Sequence, residues 1–260
     1  MSGAERIATA FSDCQGRAAL MPYLMGGFPD LATSLAIGNG YADAGADLIE
    51  LGVPFSDPLA DGPVIQSAGS AALATGATLD LVLGVARELS ARLPVVLMCY
   101  SNAILARETE RFVGEIAAVG VSGLIVPDLP LEEAPATAES CAAAGVAFVG
   151  LAAPTSTDQR LAAIGAATQG FLYTVAVAGT TGERGEQSDY QEVITRVRSH
   201  TTAPVALGFG ISTPEQASAA AGAGADGVII GSRLVREAAE ADEPAAACKR
   251  LVEQFAQALR

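Results

Sequence analysis

Asp47-Leu48-Ile49-Glu50-Leu51-Gly52 reads as a short buried strand, and Val53 leads from it into Pro-Phe-Ser-Asp-Pro-Leu-Ala-Asp-Gly-Pro, residues 54–63. Glu50 is a carboxylate where a barrel core should be apolar. The following loop carries Asp57 and Asp61 and is stiffened by Pro54, Pro58 and Pro63. A helix-period stretch follows, so strand, loop and helix form one βα unit. A strand-borne acid ahead of a rigid, acid-bearing loop is how an α/β enzyme brings two proton-transfer groups into one pocket.

The unit recurs along the chain. Apolar runs at residues 20–24, 48–52, 95–99, 124–126, 147–151, 171–175, 205–208 and 228–231 each precede a polar or Gly/Pro loop and then a helical pattern. Runs this uniformly apolar suit parallel strands covered on both faces. Eight such units in 260 residues match an α/β fold of the closed (β/α)8 TIM-barrel type, which takes about 250 residues. No linker or low-complexity tract marks a second domain, so residues 1–260 are expected to form a single barrel domain. Gly45, Gly120, Gly145 and Gly224 stand at helix exits, where a left-handed residue ends the helix. Residues 2–11 predict a helix ahead of the first strand, placed to plug the lower end. A short extra helix is expected after the eighth strand, from Ser232 through Ala238.

Half the residues are hydrophobic and the formal net charge is −14. Nucleic acid and anionic membrane surfaces need basic patches, so neither is an expected partner. A small anionic ligand stays open, because backbone N–H groups bind phosphate without any lysine. No apolar run approaches the ~20 residues of a membrane span. The cysteines Cys14, Cys99, Cys141 and Cys248 are scattered, with no Cys-x-x-Cys and no secretory segment, and a reducing cytoplasm is the expected location. Cys99 reads as a small buried hydrophobe. The chain has a single His, His200, and a single Lys, Lys249. His200 precedes a strand, at the end opposite the chemistry of a barrel, and Lys249 lies in the last helix. Zinc clusters, histidine triads and Schiff-base chemistry lose their usual residues, no metal is expected, and proton transfer falls to Asp, Glu or Tyr.

Barrel enzymes work at the carboxyl ends of their strands. Glu50 lies near the end of the second run. It reads either as a core acid paired with an arginine or as a proton-transfer group, and no arginine stands at a predicted strand end to satisfy it. Desolvation would raise its pKa toward neutrality. Asp61 reads equally as an N-cap for the helix beginning near Pro63 or as the second acid of the pocket. Ser56-Asp57-Pro58 reads first as turn chemistry. Glycine-bearing segments follow the last three strands: Gly179-Thr180-Thr181-Gly182, Gly208-Phe209-Gly210-Ile211-Ser212, and Gly231-Ser232. The last two occupy the place where barrels hold phosphate, and Ser232 would offer both an N-cap hydroxyl and a ligand donor. Tyr23, Met98, Tyr100, Ile125, Tyr173, Phe209 and Ile229 read as core that could also wall an aromatic ligand. Tyr173 could donate a hydrogen bond to Glu50.

Residues 50–63, followed by Val-Ile-Gln, closely resemble the signature of the tryptophan synthase alpha chain family, and the similarity spans the chain. Pro22-Tyr23 with Gly26-Gly27-Phe28-Pro29, and Val126-Pro127-Asp128-Leu129-Pro130, resemble that family's first and fourth loops. The resemblance implies retro-aldol cleavage of indole-3-glycerol phosphate to indole and glyceraldehyde 3-phosphate, with no cofactor or metal. It implies that Glu50 and Asp61 are catalytic, that Gly182, Gly210, Gly231 and Ser232 fix the phosphate, and that Thr181 belongs to a closing loop. It also implies a pyridoxal-phosphate beta chain as partner, in a tetramer of two alpha and two beta chains, facing Asp57, Pro58, Asn102 and Pro130. Two places depart from the family pattern. Ala176-Val177-Ala178 precede Gly179 where a Ser is usual, and Met25 stands where a Thr is common. These changes bear on closure and coupling rather than on the chemistry.

Three other readings compete. A stand-alone lyase would release free indole, and a non-catalytic subunit would only activate a beta chain, although both acids are retained. A sugar-phosphate isomerase or epimerase would need several His residues, or an Asp at the ends of the first and fifth strands, where Met25 and Leu151 stand.

Overall fold

The structure, a computed structural model, describes residues 1–175, 186–208 and 210–260, with the side chains of residues 186–189 outside the description. The first half runs α1 (Gly3–Asp13), β1 (Ala19–Met25), α2 (Leu31–Asp43), β2 (Ile49–Gly52), α3 (Pro63–Ala74), α4 (Leu79–Ser90), β3 (Val95–Met98), α5 (Ser101–Leu105), α6 (Thr109–Ala118) and β4 (Gly123–Ile125). The second runs α7 (Pro135–Ala144), β5 (Ala147–Phe148), β6 (Gly150–Ala152), α8 (Asp158–Ala167), β7 (Leu172–Val175), α9 (Glu186–Arg198), β8 (Val205–Gly208), α10 (Pro214–Gly222), β9 (Gly227–Ile230), α11 (Ser232–Glu240) and α12 (Pro244–Ala258). Every strand pairing is parallel, in the order β5-β4-β3-β2-β1-β9-β8-β7-β6.

The two ends of this sheet are one stretch of chain. Only Val149 separates β5 from β6, so the sheet closes on itself as the eight-unit barrel, with the fifth strand in two pieces. The break is a change of partner. The Val149 N–H still donates to Leu124 O at 2.9 Å, while the Gly150 N–H donates to Thr168 Oγ1 at 2.9 Å and pairing with β7 begins at Gly150. A Cβ on Gly150 would stand 2.1 Å from that Thr168 oxygen, so no side chain fits at the break.

Side chains alternate across the barrel wall, as the period of two requires. Met21, Val96, Ile125, Phe171, Tyr173, Ala206 and Ile229 fill the interior. Leu20, Ile49, Leu51, Leu97, Leu207 and Val228 point outward into the larger core under the helices. The predicted plug is α1. A capping box between Ser2 and Glu5 starts it, and fully buried Ile7 joins the interior cluster. The Arg6 guanidinium donates to the carbonyls of Ser90 at 2.6 Å, Gly120 at 3.0 Å and Leu93 at 3.2 Å, which ties the plug to the exits of α4 and α6.

Gly45, Gly120, Gly145 and Gly224 have φ of +93°, +85°, +74° and +98°, the left-handed exits the sequence predicts. All four cysteines are free and buried. His200 lies ahead of β8, at the amino end, 3.8 Å from Asp158, and Lys249 faces Asp43 at 3.7 Å. No single helix among the described residues is long and apolar enough to cross a membrane.

Ile7 closes the barrel floor against Gly123 and Gly170. Ile7→Ala should cost about 2–5 kcal/mol, read as a lower urea midpoint, with the carboxyl-end cleft still formed.

Candidate active site

Ile49 and Leu51 face the outer core, so Glu50 between them faces the interior. Its Cα partners are Tyr23 on β1 and Val96 on β3, both inward-facing. Glu50 is 1 % exposed and its Oε2 has no hydrogen-bond partner. Among the described residues no arginine clamps it, which argues against the structural reading of a paired core acid. Burial, and secondarily the negative charge of Asp61, push its pKa up to about 8.

Asp61 is not an N-cap. Gly62 holds that position on α3, without a side-chain cap bond, and Pro63 follows as the first helical residue. The Asp61 carboxylate instead accepts a hydrogen bond from the Tyr100 hydroxyl. Burial raises its pKa to about 6, and that bond opposes the rise. Tyr100 also accepts the Ala60 N–H at 3.1 Å, and Phe55 stacks on its ring with centroids 5.0 Å apart. Tyr100 therefore holds the loop and its acid in place rather than walling the cleft. With Asp61 ionised beside it, burial pushes the Tyr100 hydroxyl up to about 12, so it remains a donor.

The two acids open into a cleft of about 340 Å³ at the carboxyl ends of the strands. Tyr23, Met98, Tyr173, Ile229 and Ile65 supply much of its wall. Ile125 lies in the interior core packed with them. The expected Tyr173–Glu50 hydrogen bond is not formed. The Tyr173 ring lies over β8, where a Cβ at Gly208 would come within 2.4 Å of its hydroxyl. The Tyr23 hydroxyl lies over Gly52, where a Cβ would be 2.0 Å away, and contacts Met25 Sδ at 3.9 Å. Met25 itself packs against α3 at Gly69.

Gly210, Gly231 and Ser232 also line the cleft. Gly210 has φ +87°. Gly231 is the N-cap of α11 with no side-chain cap bond, so Ser232 is the first helical residue, not the cap, and its hydroxyl makes no hydrogen bond to a described residue. Ser212, in one of the segments expected to hold phosphate, lines the same space, as do Arg233 and Arg236, to which the sequence pattern assigns no role. The signal was present, because Arg233 and Arg236 fall one and four residues after Ser232 in a helix already expected there. Thr181, Gly182 and Phe209, with Ala176, Val177, Ala178 and Gly179, lie outside the described residues.

Asp57, Pro58, Asn102 and Pro130 are not in the cleft. Asp57, Pro58 and Pro130 sit on the loops after β2 and β4 and Asn102 on α5 after β3, with Leu59 and Leu105 on the same segments, 91 % and 72 % exposed. Ser56 donates to Asp57 at 2.6 Å, the turn expected there. Asp128 accepts both the N–H and the hydroxyl of Ser101, at 2.8 and 2.7 Å, which joins the third and fourth loops. Among the described residues no group of three or more His, Cys, Asp or Glu could hold a metal ion.

A buried, unpaired acid and a second, tyrosine-held acid at the mouth of a (β/α)8 barrel define a barrel enzyme whose proton chemistry falls to carboxyl groups. The family model for the tryptophan synthase alpha chain matches residues 10–260. The tryptophan synthase alpha chain of Synechococcus elongatus is 48% identical over 241 residues, covering 89% of this chain and 91% of that protein. The tryptophan synthase subunit alpha of Legionella pneumophila superposes with a TM-score of 0.91 at 32% identity, covering 100% of this chain and 98% of that one. A chain of the tryptophan synthase complex of Pyrococcus furiosus gives 0.86 at 35% identity, covering 93% and 99%. The chain belongs to the tryptophan synthase alpha chain family, lyases that cleave indole-3-glycerol phosphate in tryptophan biosynthesis.

Glu50 holds its proton more tightly folded than unfolded, where its pKa is near 4.5. Its contribution to stability is therefore complete below that value and is lost as pH rises through about 8. Glu50→Gln should match the parent in urea unfolding near pH 4 and exceed it by about 3–5 kcal/mol near pH 9.

Proposed function

We propose that Glu50 and Asp61 perform the cleavage of indole-3-glycerol phosphate as an acid and a carboxylate whose environments set their pKa values apart. The observation that carries this is the unpartnered, buried Glu50 carboxyl opening into the same cleft as Asp61. At pH 7, Glu50 with a pKa of about 8 is mostly protonated, and Asp61 with a pKa of about 6 is mostly ionised. Two titratable groups pushed apart by their surroundings define acid and base roles.

The reaction needs a proton on carbon 3 of the indole and the loss of one from the hydroxyl on the adjoining glycerol carbon. Glu50 gives its proton to carbon 3. The ring becomes cationic, its N–H turns more acidic, and the Asp61 carboxylate accepts a hydrogen bond from that N–H as the charge develops. Glu50, now a carboxylate, takes the hydroxyl proton. The carbon–carbon bond breaks, its electron pair returns to the indole, and the glycerol carbon leaves as the aldehyde of glyceraldehyde 3-phosphate. Glu50 ends protonated, as it began, and nothing is oxidised or reduced.

Tyr23, Met98, Tyr173, Ile229 and Ile65 offer a flat apolar wall for the bicyclic ring. Gly210, Gly231 and Ser232 receive the phosphate, with Gly182, Thr181 and Phe209 proposed on sequence grounds. Holding both ends of the substrate brings the reacting carbons to Glu50. A beta chain carrying pyridoxal phosphate is the proposed partner, in a tetramer of two alpha and two beta chains. Exposed Leu59 and Leu105, next to Asp57, Pro58, Asn102 and Pro130, support a docking face there, as does the likeness to a chain of the Pyrococcus furiosus complex. Four free thiols accord with a cytoplasmic location.

The test is indole formation by the purified chain from indole-3-glycerol phosphate. Glu50→Gln should lose at least ~100-fold in kcat while retaining its circular dichroism, and unchanged turnover would end the proposed role. kcat/KM should fall below pH of about 6 as Asp61 takes up its proton, and above about 8 as Glu50 loses its own. Adding a tryptophan synthase beta chain should raise kcat. No effect would favour a stand-alone lyase releasing free indole.

A further inference from the structure

A chain of net charge −14, with two acids in its cleft, must draw in a substrate whose far end is a phosphate. Backbone N–H groups and a serine hydroxyl carry no formal charge. Among the described residues, the cationic side chains lining the cleft are Arg233 and Arg236, both on the first turns of α11.

Their situations differ. Arg233 is committed, its Nη1 bonded at 2.7 Å to Glu237, four residues on. Arg236 has an acid at the same spacing, Glu240, yet forms no ion pair or hydrogen bond with it or with any other described group. Arg236 is exposed, lies one helical turn after Ser232 on the same face, and borders both the cleft and a shallower groove between α3 and α11. The same cleft holds the unpartnered, buried Glu50 carboxyl, so the space is independently marked as a ligand site.

We infer that Arg236 is a specificity-determining side chain for the phosphate end of the substrate, placing a permanent cation on it across the turn from Ser232. The inference rests on the proposed cleavage of indole-3-glycerol phosphate. Arginine keeps its charge at every working pH and matches phosphate oxygens with paired donors. It therefore selects the phosphorylated substrate over its uncharged counterpart, while the reacting carbons stay with Glu50 and Asp61. Arg233 helps less, because Glu237 already offsets its charge.

The test compares the parent chain with Arg236→Gln, Arg236→Lys and Arg233→Gln, in two assays: steady-state cleavage, and direct calorimetric binding of inorganic phosphate. Because Arg236 is exposed, the variants should fold. Arg236→Gln should raise KM and the phosphate Kd by about tenfold or more, with kcat within about twofold, the pattern of lost uniform binding. It should also flatten the fall of kcat/KM with salt. Arg236→Lys should recover part of both, and Arg233→Gln should do less than Arg236→Gln. An active chain whose KM, phosphate Kd and salt dependence are untouched by Arg236→Gln would overturn the inference. A parent chain that binds no phosphate would overturn it as well. If the parent produces no indole but Arg236→Gln still weakens phosphate binding, the cleavage reading fails and the anion-binding role of Arg236 stands.

Discussion

A carboxyl group shut inside a closed barrel, with no counter-ion among the described residues, is the constraint on which the rest depends. β2 is hydrogen-bonded on both sides, to β1 and to β3, so its register is fixed from two directions. A slip of one residue would turn Glu50 out and bring Ile49 or Leu51 in. Fixed inward, with no donor for Oε2, the group avoids the large cost of an isolated buried anion by keeping its proton. Its acidity is thus a product of strand pairing, and the nearby Asp61 charge adds to it.

Asp61 shows how the same functional group is tuned the other way. It sits on a loop rather than a strand, is only partly buried, and receives a hydrogen bond that favours its charged form. Three prolines, the Phe55–Tyr100 stack and the Ala60–Tyr100 hydrogen bond hold it there with little conformational freedom left to lose. A loop in this role has to be rigid, since the difference between the two acids lasts only while Asp61 keeps its tyrosine.

Much of this could be read from the chain. Apolar runs at regular spacing gave eight barrel strands, and the glycine exits gave the turns, because period and left-handed geometry are local properties. Glu50 was visible as an acid in the wrong place. The split of the fifth strand at Val149 was hidden, since it arises from a change of partner between Leu124 and Thr168, which are distant in sequence. The choice between cap and acid for Asp61 was also hidden. It depended on Gly62 taking the cap and on Tyr100, from the next βα unit, reaching back across the mouth. Residue type alone does not distinguish Arg236, because an arginine on a surface helix is ordinary unless the helix begins at the rim of a cleft. Tyr173 went the other way, since spacing allowed a bond to Glu50 that the room above Gly208 drew elsewhere.

Gly52 and Gly208 leave room for the Tyr23 and Tyr173 hydroxyls by lacking even a methyl group. The order of evolutionary change in this wall is therefore constrained. An alanine at 208 would have to displace the Tyr173 ring, and one at 52 the Tyr23 ring, whereas trimming either ring first removes that clash. A change that starts at the aromatic residue therefore meets less steric resistance than one that starts at the glycine.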